Sequence, residues 1–274
     1  MTSAVGRRQR WYTPDPSDLK GPQDDVRGGV DVTDGYARGP SDDVSNLIMN
    51  ILILGRGKMG SVVAEVACER GHKVETLSDI ENENARALTR ETLRDIDVVT
   101  DFTAPQAVVP NVEACIAQGK NVVVGTTGWY ESLPGIRAKV EQAGTGFVFG
   151  ANFSIGINLF YDAARTAAAA LKHQYSGQLF ERHHIHKKDA PSGTAIAVRK
   201  VVQAASGHEL EIISFREGEV VGLHELVLDS PNDTIYLCHD AKSRRGFADG
   251  AVRAAEWLHG RKGFFDFKDI WREL

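Results

Sequence analysis

Residues 50–60 read Asn-Ile-Leu-Ile-Leu-Gly-Arg-Gly-Lys-Met-Gly, and this stretch decides the fold. The run 51–54 is short and continuously apolar, which is typical of a strand buried on both faces of a parallel sheet. A Gly-x-Gly-x-x-Gly pattern follows at once and opens a helical pattern, the context in which it indicates dinucleotide binding. The residues of this loop that we expect to contact a cofactor are Gly55, Gly57, Lys58, Met59 and Gly60.

The acid expected about 20 residues beyond such a loop is best matched by Asp79, just past a second strand pattern at 73–77. Its carboxylate could accept hydrogen bonds from both ribose hydroxyls, which favours NADH. Arg56 and Lys58 could instead hold the 2′-phosphate of NADPH, so we expect use of both cofactors with a preference for NADH. The alternative for Asp79 is a turn-forming aspartate before Ile80.

Two further loops follow strand patterns at the edge where an open α/β sheet binds its ligand. They are Asp-Phe-Thr-Ala-Pro at 101–105 and Gly-Thr-Thr-Gly at 125–128. Both offer small hydroxyl residues and free backbone amides, so they are candidates to line a nicotinamide. Ordinary turn chemistry would explain the same residue types.

The order of the patterns predicts two domains. From Met49, strand and helix patterns alternate, which implies right-handed crossovers and a parallel sheet. After Asn152 an alanine-rich helix (156–172) leads to strand patterns at 178–183, 211–217, 221–229 and 234–239, the last three joined by short turns. We therefore expect a Rossmann-like, parallel-sheet domain at 49–152, completed by 244–274, and an α+β domain with a mixed sheet at 153–243.

Residues 1–48 differ in composition from the rest of the chain. Gly, Pro, Asp, Ser and Arg dominate, and the few apolar residues have no period, so we expect a disordered extension. The whole chain has 274 residues, a net charge of -5 and ordinary globular composition. No basic face suggests a nucleic-acid partner, and the longest apolar runs are far too short to cross a membrane.

The cysteine pattern indicates a compartment. Cys68, Cys115 and Cys238 are odd in number, widely spaced and set in apolar helix or strand patterns. Buried, reduced thiols in a cytoplasmic protein are the simplest interpretation.

Residues 181–195 read Glu-Arg-His-His-Ile-His-Lys-Lys-Asp-Ala-Pro-Ser-Gly-Thr-Ala and concentrate the chemistry of the chain. Pro191 stands where a first helical turn accepts proline, so the amides of Ser192, Gly193 and Thr194 are expected to point at a carboxylate. Cations just upstream add positive charge, and a histidine can release a proton near neutral pH. A small, doubly charged acid would fit this segment.

Two other interpretations of the same stretch remain. A charge run alone is often a solvated loop with ordinary hydrogen-bonded histidines. His-His-x-His also offers imidazoles to a metal, but no Cys-x-x-Cys or His-Glu-x-x-His partner accompanies it. We therefore expect no metal.

The motifs occur in one order that resembles a known family. These are the glycine loop, Asp-Phe-Thr, Gly-Thr-Thr-Gly, Ala-Asn-Phe-Ser at 151–154, the stretch 183–195, and Phe-Ala-Asp-Gly-Ala-Val-Arg at 247–253. From Met49 to the C-terminus the chain resembles bacterial 4-hydroxy-tetrahydrodipicolinate reductase (dihydrodipicolinate reductase), and the motif 183–195 is highly specific to that family.

The resemblance implies an activity and its residues. Members use NADH or NADPH to reduce a cyclic dicarboxylate, with loss of water, in the diaminopimelate route to lysine. By position, His183 resembles the general acid and Lys187 the cation that holds the substrate and assists protonation. The family's substrate contacts are matched by His184, Gly193 and Thr194. The cofactor-contacting positions are the glycine loop, Asp79, Phe102, Gly125, Thr126, Thr127, Ala151, Asn152 and Phe153. The second domain would assemble a homotetramer through its sheet.

Fold analogy alone leaves rivals open. Another two-domain NAD(P)-dependent dehydrogenase could act on a small amino or keto acid, and a dinucleotide-binding sensor would need no catalysis. The residues at 183–194 argue against both.

Overall fold

A computed structural model describes residues 47–274 of the chain. The expected disordered extension, 1–48, lies outside the described residues except for Leu47 and Ile48. Leu47 packs against the core cluster that includes Met49 and Ile51, two residues before the expected start of the fold.

The first sheet has six strands, and every neighbouring pair is parallel. Its strands are β1 (Asn50–Leu54), β2 (Lys73–Leu77), β3 (Val98–Asp101), β4 (Asn121–Val124), β5 (Gly146–Phe149) and β10 (Gly263–Asp266), in the order β10-β5-β4-β3-β1-β2. The central strands β1, β3 and β4 are almost wholly buried, as their continuous apolar runs predict. The predicted parallel-sheet fold is confirmed.

The C-terminal segment contributes a strand to the first sheet. Residues 263–266 form β10, which pairs with β5 and extends the sheet. The ring of Phe264 stacks on that of Phe147, with centroids 5.0 Å apart. This strand runs directly into the helix Phe267–Ile270, so the sequence shows no boundary between the two elements.

Helices cover both faces of this sheet. Their bounds are α1 (Lys58–Glu69), α2 (Pro105–Ala117), α3 (Leu133–Ala143), α6 (Arg245–Leu258) and the short α7 (Phe267–Ile270). On one face α1 and α6 share a core with β1, and on the other α2 and α3 pack over β3 and β4. The glutamate of α6, Glu256, accepts two hydrogen bonds from Arg70, just after α1, and one from His72. The chain thus returns to the first sheet after forming the second.

The second sheet is mixed, as predicted. It comprises β6 (Ser176–His183), β7 (Glu211–Arg216), β8 (Gly222–Asp229) and β9 (Thr234–Ala241), in the order β7-β6-β8-β9. The β6–β7 pair is parallel and the other two pairs are antiparallel. One face packs on α4 (Ile155–Ala167) and α5 (Gly193–Ser206), while Phe215 and Tyr236 are exposed. The predicted helix 156–172 is α4 followed by a 3-10 segment, Ala168–Lys172.

The expectation that all three cysteines are buried is wrong. Cys115 is buried, but Cys68 and Cys238 are exposed. Cys68 lies on the outer side of α1. Cys238 belongs to β9, whose residues alternate in burial because only one side faces the helices. No helix in the described part of the chain has the combined length and hydropathy that a membrane crossing requires.

Candidate active site

The three glycines of the loop after β1 serve different purposes. Gly55 has φ +96°, and a β-carbon there would come within 2.4 Å of the Phe102 carbonyl oxygen. A β-carbon on Gly60 would lie 1.9 Å from the Gly55 carbonyl oxygen. Gly57 immediately precedes α1, and no described atom lies within 4 Å of the place its β-carbon would take. Gly55 and Gly60 therefore permit the tight turn, while Gly57 leaves open the space that a pyrophosphate needs.

Arg56 is held against β2. Its guanidinium donates to the hydroxyl and carbonyl oxygens of Thr76, at 2.9 and 2.7 Å, and to Glu81 at 3.2 Å. Ser78 donates two hydrogen bonds to Glu81, and these lower the pKa of that carboxyl group. Asp79 lies between them and lines a cavity of about 280 Å³ bounded by the loops after β2 and β3. Asp79 thus borders the predicted ribose site, and Arg56, the alternative contact for a 2′-phosphate, is paired with Glu81.

A buried carboxylate organises the loops after β3 and β4. Asp101 accepts from the amide and hydroxyl of Thr103, at 2.9 and 2.6 Å, and from Asn111 at 2.9 Å. The Thr126 hydroxyl donates to it at 3.2 Å, so one side chain ties both loops together. Burial raises its pKa. The sequence places Asp101 in a loop that is predicted to line the nicotinamide, but it does not indicate that this aspartate joins the two loops.

Six predicted cofactor residues meet in one cavity of about 260 Å³ at the carboxyl ends of the parallel strands. They are Met59, Phe102, Gly125, Ala151, Asn152 and Phe153. Of the other predicted residues, Thr126 is buried and turned toward Asp101, and Thr127 is exposed on the same loop.

The same cavity is completed by residues that sequence reasoning missed. Val221 precedes β8, while Arg244 and Phe247 lie at the start of α6. Phe247 belongs to a motif of the resemblance. The local sequence does not indicate, however, that any of these three residues lines the cavity. The cavity therefore takes its walls from the parallel sheet and from chain that returns from the mixed sheet.

His183 ends β6 and packs against Gly222. Its Nε2 is 3.1 Å from the place a β-carbon on Gly222 would take, and Gly222 is next in sequence to the cavity residue Val221. The other ring nitrogen, Nδ1, contacts the carboxylate of Glu181, which is fully buried. Burial lowers the pKa of His183, and the Glu181 carboxylate only partly offsets this effect.

The start of α5 contacts a second histidine. Ser192 is the N-cap residue, and its hydroxyl accepts from the amide of Ala195 and lies 3.2 Å from Nε2 of His224. Burial lowers the pKa of His224 to about 3, so this imidazole is neutral. The helix begins at Gly193, so Pro191 is the residue before the cap and not, as predicted, within the first turn.

The amides of Gly193 and Thr194 belong to the first turn of α5 and therefore have no acceptor within the helix. The hydroxyl of Thr194 lies close enough to the phenol of Tyr161, on α4, to affect its pKa, which burial raises to about 12. The N-terminus of α5 can thus offer backbone donors to a carboxylate.

The cations of 183–188 do not act as one cluster. Lys187 is mostly buried, donates to Asp189 at 2.8 Å, and lies close enough to His183 to lower the pKa of that imidazole. His186 is exposed near Glu219, and His184 is partly buried.

Three side chains of the described residues lie close enough together to bind a metal ion. Glu181, His183 and His224 place three donor atoms within 4.8 Å of one another. Arg216 donates to the second oxygen of Glu181 at 2.9 Å and adds a positive charge. This set therefore fits a held proton better than a metal ion.

Comparisons with known proteins agree with this geometry. The family described as "Dihydrodipicolinate reductase, N-terminus" matches residues 49–153, and "Dihydrodipicolinate reductase, C-terminus" matches residues 156–271. The 4-hydroxy-tetrahydrodipicolinate reductase of Christiangramia forsetii is 35% identical over 242 residues, covering 82% of this chain and 99% of the relative. That of Neisseria meningitidis is 35% identical over 195 residues, covering 64% of this chain and 72% of the relative.

Solved structures show the same fold. A dipicolinate-bound dihydrodipicolinate reductase from Paenisporosarcina sp. TG-14 superposes with a TM-score of 0.69 at 23% identity, covering 82% of this chain and 100% of that one. A myo-inositol-1-phosphate synthase-related protein from Thermotoga maritima gives 0.53 at 9% identity, covering 77% and 87%. With both family halves matched in order and a relative matched over nearly its whole length, the chain belongs to the dihydrodipicolinate reductase family.

Proposed function

We propose that this chain reduces 4-hydroxy-tetrahydrodipicolinate to tetrahydrodipicolinate with NADH or NADPH, in the diaminopimelate route of lysine biosynthesis. One observation carries the proposal for this chain's own residues. His183 packs against Gly222, and the neighbouring residue Val221 lines the cavity that the predicted nicotinamide-lining residues form. An acid and a hydride donor would meet there on the same substrate.

The first sheet fits the cofactor. Gly57 leaves space for the pyrophosphate at the N-terminus of α1, where backbone amides favour negative charge. Asp79 would accept hydrogen bonds from the ribose hydroxyls. When bound, the reduced nicotinamide supplies a hydride. Phe102 and Phe153 would pack around that ring and exclude water from it.

The second sheet fits a dianion. We assign one substrate carboxylate to the amides of Gly193 and Thr194 at the start of α5, with Lys187 and His184 providing cationic or donor contacts. Loss of the 4-hydroxyl group as water gives a conjugated imine, and hydride addition to it leaves negative charge at the far end of the conjugated system. His183 delivers the proton that discharges it, which contributes roughly a hundred- to ten-thousand-fold in rate. The dipicolinate bound to the related Paenisporosarcina reductase is a cyclic dicarboxylate of this kind.

Generating the substrate in place tests the proposal. Dihydrodipicolinate synthase, pyruvate and aspartate semialdehyde are mixed with this protein, and the loss of NADH or NADPH absorbance is followed. Oxidation that requires all three supports the assignment. Nucleotide binding without turnover would instead identify a sensor.

We further propose a division of the chain, an assembly and a location. Residues 49–152 with 244–274 form the cofactor domain, and 153–243 the substrate domain. The face of the second sheet opposite α4 and α5, where Phe215 is 38% and Tyr236 54% exposed, would associate into a homotetramer. Light scattering on Tyr236→Glu beside the unaltered protein measures this assembly. We place the enzyme in the cytoplasm, where reduced nicotinamide nucleotides are regenerated.

A further inference from the structure

We propose that Glu181 is a positioning residue for proton transfer, which holds His183 by Nδ1, directs Nε2 toward the substrate and keeps the imidazolium form within reach. This inference rests on the proposed function, in which His183 is the acid. Glu181 is not among the predicted site residues, so it adds a residue to the reaction.

The geometry of β6 brings the two side chains together. Glu181 and His183 are two residues apart on one strand, so their side chains lie on the same face. The carboxylate is fully buried, and its Oε2 contacts Nδ1 of His183. Its other oxygen, Oε1, accepts from Arg216 at 2.9 Å, and Ser214 lies close enough to lower the pKa of this carboxyl group. Both partners come from β7, in register with β6.

Arg216 offsets the energetic cost of burying the Glu181 carboxylate. An unpaired buried charge is strongly destabilising, and a paired one must also satisfy its hydrogen bonds. Burial by itself would raise the pKa of Glu181, but Ser214, Arg216 and the charges around the carboxyl group together lower it, so the carboxylate is ionised. Glu181 is therefore held charged, in one orientation, against His183.

The other groups that face His183 would otherwise oppose its protonation. Burial lowers its pKa most, and the charges of Lys187 and Arg216 lower it further, whereas Glu181 raises it. His224 packs edge-on from β8 with ring centroids 5.3 Å apart, but it is neutral and so adds no positive charge. Of these neighbours, Glu181 is the group that favours the imidazolium.

Orientation is the second consequence. With Nδ1 turned to Glu181, the ring places Nε2 beside Gly222, next to Val221 in the cavity wall. Since Nδ1 faces the Glu181 carboxylate, Nε2 is the ring nitrogen that is left to exchange a proton with the substrate. The proton is accordingly delivered from Nε2, and the carboxylate itself remains ionised throughout.

Glu181→Gln is the direct test. The pH dependence of kcat/KM is measured in the coupled assay for this variant and for the unaltered protein. Without the carboxylate, we expect the basic limb to move about 1 to 2 pH units lower, so activity above it falls roughly 10- to 100-fold. Activity well below the limb should be much less affected. A rate that is reduced equally at every pH, with the limb in place, would overturn the proposal.

Glu217→Gln is the matched control. Glu217 follows Arg216 directly, but it is half exposed and pairs with Arg182 at 3.0 Å. Its variant should keep both rate and limb. A limb shifted as far as in Glu181→Gln would show a general charge effect and overturn the positioning role.

Glu181→Asp covers the case in which the glutamine variant does not fold. It keeps the negative charge for Arg216 but withdraws it from the ring by one methylene. We expect retained NADH binding, a limb close to the original and a lower kcat; an unchanged kcat would contradict the inference. His183→Gln distinguishes failure of the proposed function from failure of this inference. Full turnover in His183→Gln would refute His183 as the acid. Lost turnover in His183→Gln, with the basic limb of Glu181→Gln unmoved, would refute only the role of Glu181.

Discussion

The ring of Phe102 lies so close to Gly125 that a β-carbon there would come within 2.1 Å of its Cε1 atom. Both residues line the cavity where the nicotinamide is proposed to bind, each at the end of a parallel strand. The absence of a side chain at Gly125 therefore lets the aromatic ring form one wall of the site.

Gly125→Ala should displace that ring. Overpacking of this kind costs about 1 to 3 kcal/mol, and the moved ring would intrude on the nicotinamide. We expect a lower melting temperature and weaker NADH binding, measured by thermal unfolding and fluorescence titration. Unchanged NADH affinity would show that Phe102 does not shape the cofactor site.

Gly57→Ala should mainly weaken NADH binding, whereas Gly60→Ala should mainly lower the stability of the fold. The added methyl group at Gly57 meets no described atom, so stability should fall by at most about 1 kcal/mol. NADH affinity should nevertheless fall about tenfold, about 1.4 kcal/mol, because the methyl group stands in the pyrophosphate space. Gly60→Ala would clash with backbone and should lose stability first. Equal NADH affinity in Gly57→Ala and the unaltered protein would show that the pyrophosphate does not bind at this loop.

Cofactor preference should depend on the two acids after β2. Asp79→Asn should lower kcat/KM for NADH by roughly 10- to 100-fold, since a hydrogen bond to a charged group contributes about 1.5 to 3 kcal/mol. Glu81→Gln should instead raise the efficiency with NADPH, because it releases Arg56 to meet a 2′-phosphate. Parallel kinetics with both nucleotides measure these ratios. A strong NADPH preference in the unaltered protein would take Asp79 out of the ribose role.

The pH dependence should differ between free and substrate-bound enzyme. Burial lowers the pKa of His183 below its ordinary value of about 6.5, and a general acid acts only while protonated. The value of kcat/KM should therefore fall as pH rises through a pKa below about 6.5. The two negative charges of bound substrate raise that pKa, so the fall in kcat should lie at higher pH. Coincident limbs in rate profiles would show that the dianion does not bind near His183.

Local patterns predicted the framework of this fold. The apolar run of β1, the glycine loop and the alternation of strands and helices are each contained within a few neighbouring residues. The motif at 183–195 likewise presented its imidazoles, lysines and helix start together. Such features depend on the chain's own periodicity, so the sequence alone reveals them.

The rest depends on contacts between distant segments. Arg244 and Phe247 reach the cavity only because α6 returns to the first sheet, more than a hundred residues after the glycine loop. Glu181 meets Arg216 through the β6–β7 register, and neither residue indicates the other in the sequence. The exposure of Cys238 follows from the single covered face of the second sheet, which also cannot be recognised before the helices are placed.

The most direct measurement of the central claim is substrate-dependent NADH oxidation by His183→Gln and Lys187→Ala beside the unaltered protein, with NADH binding measured in parallel. We expect kcat of His183→Gln to fall roughly a hundred- to ten-thousand-fold with NADH binding retained. Lys187→Ala should lose kcat and also raise KM, because it removes a cation that holds the dianion. Turnover near that of the unaltered protein in both variants would contradict the account.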